Sequence, residues 1–108
     1  MTYTKVNTLW SLESVSDCYV FCHEDQKIYN SNTGKSLKIS RDFQGYPIVY
    51  LCQKISSLSS KSVFYHKIIA LALIHNGPYE LIEHLDDNPL NNDVSNLRFS
   101  NKKENGIH

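Results

Sequence analysis

"LIEHLDDNPLNNDVSNLRFSNKKEN", residues 81–105, is the stretch on which the reading of this chain turns. A short apolar run ends in the pair Glu83-His84, and a knot of Asp and Asn follows before "NLRF" and a polar segment that reaches Asn105. The run "YELIEH" predicts a strand, "LDDNPLNNDVS" a polar loop, and "NLRF" a second short strand. Ser100 is a good N-cap for a closing helix that Gly106 ends. In that arrangement His84 ends the first strand, Asn96 opens the second, and Asn105 lies on a helix folded back over the hairpin. Asp86, Asn88, Asn91 and Asn92 are expected to hold the loop, because Asp and Asn side chains bond readily to nearby backbone.

One imidazole, one carboxylate and one amide oxygen are thereby brought towards a small volume. Carboxylate and amide oxygens are hard ligands suited to Mg²⁺ or Mn²⁺, with water and a substrate phosphate completing the shell. A neutral His beside them can take a proton from an attacking water. Together these are the parts of one-metal phosphodiester hydrolysis, in which the ion offsets charge on the phosphate and the His makes the nucleophile.

Working outward, "YHKIIALALIHNG" carries Ile68, Ile69, Leu71, Ala72 and Leu73 at helical spacing, which predicts an apolar helix. Asn76-Gly77-Pro78 is expected to stop it, with Gly as a left-handed cap and Pro unable to continue. Upstream, "CYVFC", "KIYN", residues 37–39 and "GYPIVYLCQK" read as strands. "KISSLSSKSVFY" reads as a serine-rich hairpin loop leading into a strand at 62–65. Tyr46, Tyr50, Phe64 and Tyr65 are expected to pack in the core. The fold class is α+β: a small N-terminal antiparallel sheet over 1–62, then a helix and a strand-strand-helix unit over 63–108. No linker or repeat divides the chain, so one domain is expected.

With 108 residues, 41% of them hydrophobic and 20% charged, the chain has a globular composition. No apolar run approaches a membrane span, and "MTYTKVNTLW" lacks the regions of a signal peptide, so a cytoplasmic location and no membrane partner are expected. Three cysteines, Cys18, Cys22 and Cys52, argue against a disulfide framework. Cys18, Cys22 and His23 fall short of the four ligands of a structural zinc site. The net charge of zero is unfavourable for a nucleic-acid binder. The charge is unevenly spread, however, with Lys35, Lys38 and Arg41 in the first half, Arg98, Lys102 and Lys103 near the end, and acids around His84. These six basic residues, with His66, are candidate phosphate contacts.

At this point the residues resemble a known family, the HNH endonucleases of the small phage and intron-encoded homing type. The resemblance rests on "VFYHKIIA", on the spacing of His84, Asp86, Asn88, Asn91, Asn92, Asn96 and Leu97, and on Glu104-Asn105. "TGKSLK" and "GYPIVYL" are similar to the sheet-forming segment that precedes the motif in that family. The resemblance implies a ββα-metal motif in which His84 is the general base and Asn96 braces the loop and orients that base. Glu83 and Asn105 would hold one Mg²⁺ or Mn²⁺. Three positions depart from the pattern: Glu83 stands for Asp, Asp87 for Gly, and Phe99 for Trp. Asp87 tolerates the left-handed backbone better than most residues but adds a negative charge.

Two functions are therefore carried forward. The first is a metal-dependent HNH DNA endonuclease or nickase, phage-encoded and acting in the bacterial host cytoplasm. Because the chain ends at His108, just after the expected helix, nicking of relaxed specificity is expected. The second is an HNH-like module, weak or inactive in catalysis, that binds DNA or a host protein. Target sequence and oligomeric state are not legible in the residues.

Overall fold

A computed structural model describes residues 1–100, with Ser57 described by its backbone alone. The described residues build three antiparallel sheets and one α-helix, as an α+β fold. The first sheet has the order β1-β2-β3-β4, from Tyr3–Lys5, Tyr19–Cys22, Ile28–Asn30 and Lys35–Ser36. The second has the order β5-β6-β7, from Ser40–Arg41, Pro47–Gln53 and Ser56–Phe64. Helix α1, Tyr65–Leu73, follows directly, and the hairpin β8-β9, Leu81–His84 and Leu97–Ser100, closes the described chain.

Several expectations need correction. The N-terminal part is two sheets, and residues 37–39 link them instead of forming a strand. The serine-rich segment is not a loop: β7 starts at Ser56, and only Lys54 and Ile55 make the turn. Serine at 60 and 62 is tolerated because those positions face water, while Val63, on the other face, is buried against Val49. β6, with Ile48, Val49 and Leu51 buried, supplies the ladder that carries the serines. For the same reason Tyr50 and Phe64, on the outer face, are 55% and 41% exposed and do not belong to the core.

α1 ends at Leu73, three residues before Asn76. Ile74 closes it with an ordinary right-handed backbone, and Gly77 is not left-handed. Asn76 has another task. Its Oδ1 accepts from the Trp10 N–H and its Nδ2 donates to the Thr8 carbonyl, tying the N-terminal segment to the end of the helix.

The core is shared by all parts. Val6, Leu9, Leu12, Phe21 and Ile28 of the first part pack in one cluster with Val49, Leu51 and Val63 of the second sheet. Ile68, Ile69 and Leu71 of α1 and Leu97 of β9 join them. α1 is thus held between sheet and hairpin, and its first turn brings His66 to the end of β8. Cys18, Cys22 and Cys52 are all free thiols, and Cys22 is buried as a small apolar group.

Candidate active site

The hairpin pairs Glu83 with Arg98 and His84 with Leu97. Period-two alternation puts the partners of each pair on one face. Arg98 Nε therefore meets Glu83 Oε2 at 2.8 Å across the strands. His84, on the other face, reaches the first turn of α1, where its ring meets the His66 ring at 5.0 Å and nearly at right angles. His66 is in turn stacked on Phe64 at 5.0 Å.

The loop between the strands is organised by two side chains. Asp86 Oδ1 accepts from the Asn88 N–H, and Asp86 Oδ2 from Asn91 Nδ2. Asn96, nine-tenths buried, is bonded at every polar side-chain atom. Its Oδ1 accepts from the Asp86 N–H, and its Nδ2 donates to Asp86 Oδ1 and to the Asn91 carbonyl. Asn88 Oδ1 accepts from Leu90 N–H, and Asp93 caps the short 3₁₀ turn at Val94–Asn96. Bonds from Asn91, Asn88 and Asn96 hold the Asp86 carboxyl below the usual carboxylate range. Asp87 has φ of 60°, the left-handed conformation expected of the position where Asp stands for Gly.

Asn92 departs from the expected loop role. Its Oδ1 lies 2.7 Å from His84 Nε2. The Asn96 side chain braces the loop, its carbonyl accepts from the Leu85 N–H beside His84, and the side chain bonded to the imidazole is Asn92. The doubled "NN" was the available signal, because two adjacent amides have different directions and only one can face the loop interior.

Glu83, His84 and Arg98, with Tyr46, Ile82, Leu85, Asp87 and Pro89, line an open cleft of about 660 Å³. A second cleft of about 370 Å³ adjoins it and shares Tyr46, Ile82 and His84. Of the candidate phosphate contacts, Arg98 lines the first cleft with its Nε engaged by Glu83. His66 lines the second cleft but is nine-tenths buried, and among the described residues its Nδ1 has no hydrogen-bond partner. Burial, and to a lesser extent the nearness of His84, push its pKa down to about 4. Lys35, Lys38 and Arg41 are exposed and line neither cleft. Asn105, Lys102 and Lys103 lie outside the described residues.

Among the described residues no three His, Cys, Asp or Glu side chains gather into a metal cage. Such a cage is not what a magnesium-type ion requires. It keeps several waters and takes one or two protein oxygens plus substrate phosphate. Glu83, a hard oxygen donor on the wall of a roomy polar cleft, fits that demand.

Residues 65–107 match the family described as HNH endonuclease. That segment, about two-fifths of the chain, resembles the HNH endonuclease family. It holds α1, the hairpin and the loop between its strands, which carry His66, Glu83, His84, Asn92 and Asn96. The similarity extends beyond the HNH segment. Over 102 residues the chain is 34% identical to an uncharacterized HNH endonuclease, L245, of Acanthamoeba polyphaga mimivirus, covering 94% of this chain and 29% of that protein. It also matches a solved structure concerned with DNA binding and cleavage by the HNH homing endonuclease I-HmuI, with a TM-score of 0.74 and 21% identity. That match covers 99% of this chain and 56% of the other, and at this identity the likeness is one of fold. The chain thus spans under a third of the viral relative and a little over half of I-HmuI.

Proposed function

We propose that the chain is the nuclease unit of a metal-dependent HNH endonuclease or nickase that hydrolyses DNA phosphodiesters, with His84 as general base. The observation that carries this reading is the placement of His84: an imidazole held by Asn92 at the wall of an open polar cleft, next to Glu83, within the HNH segment. In this mechanism His84 takes a proton from the attacking water, whose oxygen bonds to phosphorus as the bond to the leaving sugar oxygen breaks. Asn96 keeps the loop closed so that His84 and its partner stay in register. Glu83 and Asn105 would hold the divalent ion, Mg²⁺ or Mn²⁺. When bound, that ion would offset the negative charge that builds on the phosphate and leaving oxygen. Arg98 Nε holds Glu83 Oε2 across the hairpin at 2.8 Å, and this bond must loosen or be shared when the carboxylate takes a metal. Residues 63–108 then carry the helix and the ββα-metal motif within a single domain, and DNA is the partner, as the words describing I-HmuI also indicate for that protein.

The test is plasmid nicking with Mg²⁺ or Mn²⁺. Wild type should relax supercoiled DNA, and His84→Ala should lose about 10²- to 10⁴-fold in rate, the usual contribution of a general base. Equal cleavage by His84→Ala, or none by wild type on any DNA, overturns the reading.

The Glu83–Arg98 ion pair favours a second reading, an HNH-like module that binds DNA or a host protein without cutting, since the carboxylate already has a cation at 2.8 Å. Calorimetry separates the two. Divalent-ion binding that Asn105→Ala abolishes supports the nuclease, and no ion binding beside a stoichiometric protein partner supports the module.

A further inference from the structure

We infer that Asn92 is the positioning residue of His84: its side-chain oxygen fixes the imidazole in one tautomer, with the proton on Nε2 and the lone pair of Nδ1 left for the cleft. The inference rests on the reading of His84 as the base and names the nitrogen that acts.

The chemistry of the contact decides where the proton sits. An amide oxygen accepts hydrogen bonds and cannot donate them. With Asn92 Oδ1 at 2.7 Å, His84 Nε2 must carry the proton. A neutral imidazole has one N–H, so Nδ1 is left as the acceptor and the only nitrogen able to take a proton. When it does so, Nε2–H still donates to the same oxygen, and the ring does not have to turn during the reaction.

Asn92 can impose this because its own position is imposed. The residue before it is pinned twice: the Asn91 carbonyl accepts from Asn96 Nδ2, and Asn91 Nδ2 donates to Asp86 Oδ2. The buried His66 ring, itself stacked on Phe64, meets the His84 ring nearly at right angles with centroids 5.0 Å apart. The imidazole is therefore held at one nitrogen by a bond and over its surface by a ring. An amide also differs from the carboxylate often found behind a general-base His. Being neutral, it orients the ring without a full negative charge beside the phosphate.

Two measurements test this. Long-range proton–nitrogen-15 correlation spectra of the full chain report the tautomer without any need for activity. Wild-type His84 should be the Nε2–H form, and Asn92→Leu should shift it to a mixture. Single-turnover nicking at saturating DNA should fall about a hundredfold in Asn92→Leu, between loss of positioning alone and the roughly 10⁴ lost where a general-base His is left in the wrong tautomer. DNA affinity should not move. Asn92→Asp keeps an acceptor at the same place and should recover most of the rate, which a merely structural role for the loop would not predict. An Nδ1–H tautomer in the wild type overturns the inference, and so does an Asn92→Leu variant that cuts at the wild-type rate. If the wild type cuts no DNA, the nuclease reading fails on its own, and the spectra still decide whether Asn92 sets the ring.

Discussion

His66 costs the fold something at neutral pH and more in acid. Its ring is nine-tenths buried and Nδ1 has no hydrogen-bond partner among the described residues, an arrangement that costs about 1–3 kcal/mol. Its pKa falls from 6.5 to about 4, first because burial disfavours the charged form and second because of His84. The folded state thus binds the proton less readily than the unfolded chain. Stability is full above about pH 6.5, declines as pH falls through the window from 6.5 to about 4, and levels off below it. At roughly 1.4 kcal/mol per unit, the loss across that window is on the order of 3 kcal/mol. His66→Phe keeps a ring against Phe64 and removes the titrating group. Urea unfolding of this variant should show equal or higher stability at pH 7 and a flatter decline towards pH 4. Parallel pH curves for variant and wild type would place the effect elsewhere. The position of His66 was not legible from its residue type: at the start of an apolar helix, phosphate contact and packing look alike until β8 is known to cross in front of it.

At the scale of elements, the hairpin and loop were the most legible part of the chain, because Asp and Asn clustered between two short apolar runs read as turn chemistry joining two strands. The end of α1 and the serine-rich strand were the least. Asn-Gly-Pro looks like a stop, yet the chain leaves the helix at Ile74 so that Asn76 can clamp Thr8 and Trp10, a contact across more than sixty residues. The serines look like a loop because β-propensity is local, whereas the ladder they join is set by Ile48, Val49 and Leu51 opposite. Asn92 was hidden for a related reason: spacing shows that two amides are adjacent, but not which one turns to His84. The loop's dependence on Asn96 follows from its bonds. Asn96→Ala leaves the Asp86 N–H and the Asn91 carbonyl without these partners, and removing three bonds at a buried site should cost about 2–4 kcal/mol. Thermal unfolding should register that loss, and nicking should fall further than unfolding explains, because Asn91 and Asn92 move together. An unchanged melting temperature would mean that the loop holds itself without Asn96.

For the molecule as a whole, the difficulty is charge. The sum is zero, and the acids crowd the site: Glu83 and Asp87 line the cleft, with Asp86 and Asp93 on the adjoining loop. A phosphate backbone approaching that face meets like charge, so attraction must come from a bound divalent ion and from basic residues elsewhere. Among the described residues, Lys35, Lys38 and Arg41 form one exposed basic group, on and beside the segment that joins the two sheets. A core shared by both sheets, α1 and β9 keeps that segment in fixed relation to the hairpin, so its charges act at a constant distance from the cleft. Affinity from such charges is released counterion entropy, and log K falls with log salt by about 0.9 per phosphate neutralised. Replacing all three by Ala should therefore weaken binding to any DNA sequence about equally and reduce the salt slope by roughly 0.9 for each phosphate that is no longer neutralised. The nicking rate at saturating DNA should stay as it was, because none of the three lines the cleft. Fluorescence anisotropy across a salt series gives the slope directly. A slope that the triple variant leaves unchanged would move the DNA-binding surface away from this segment.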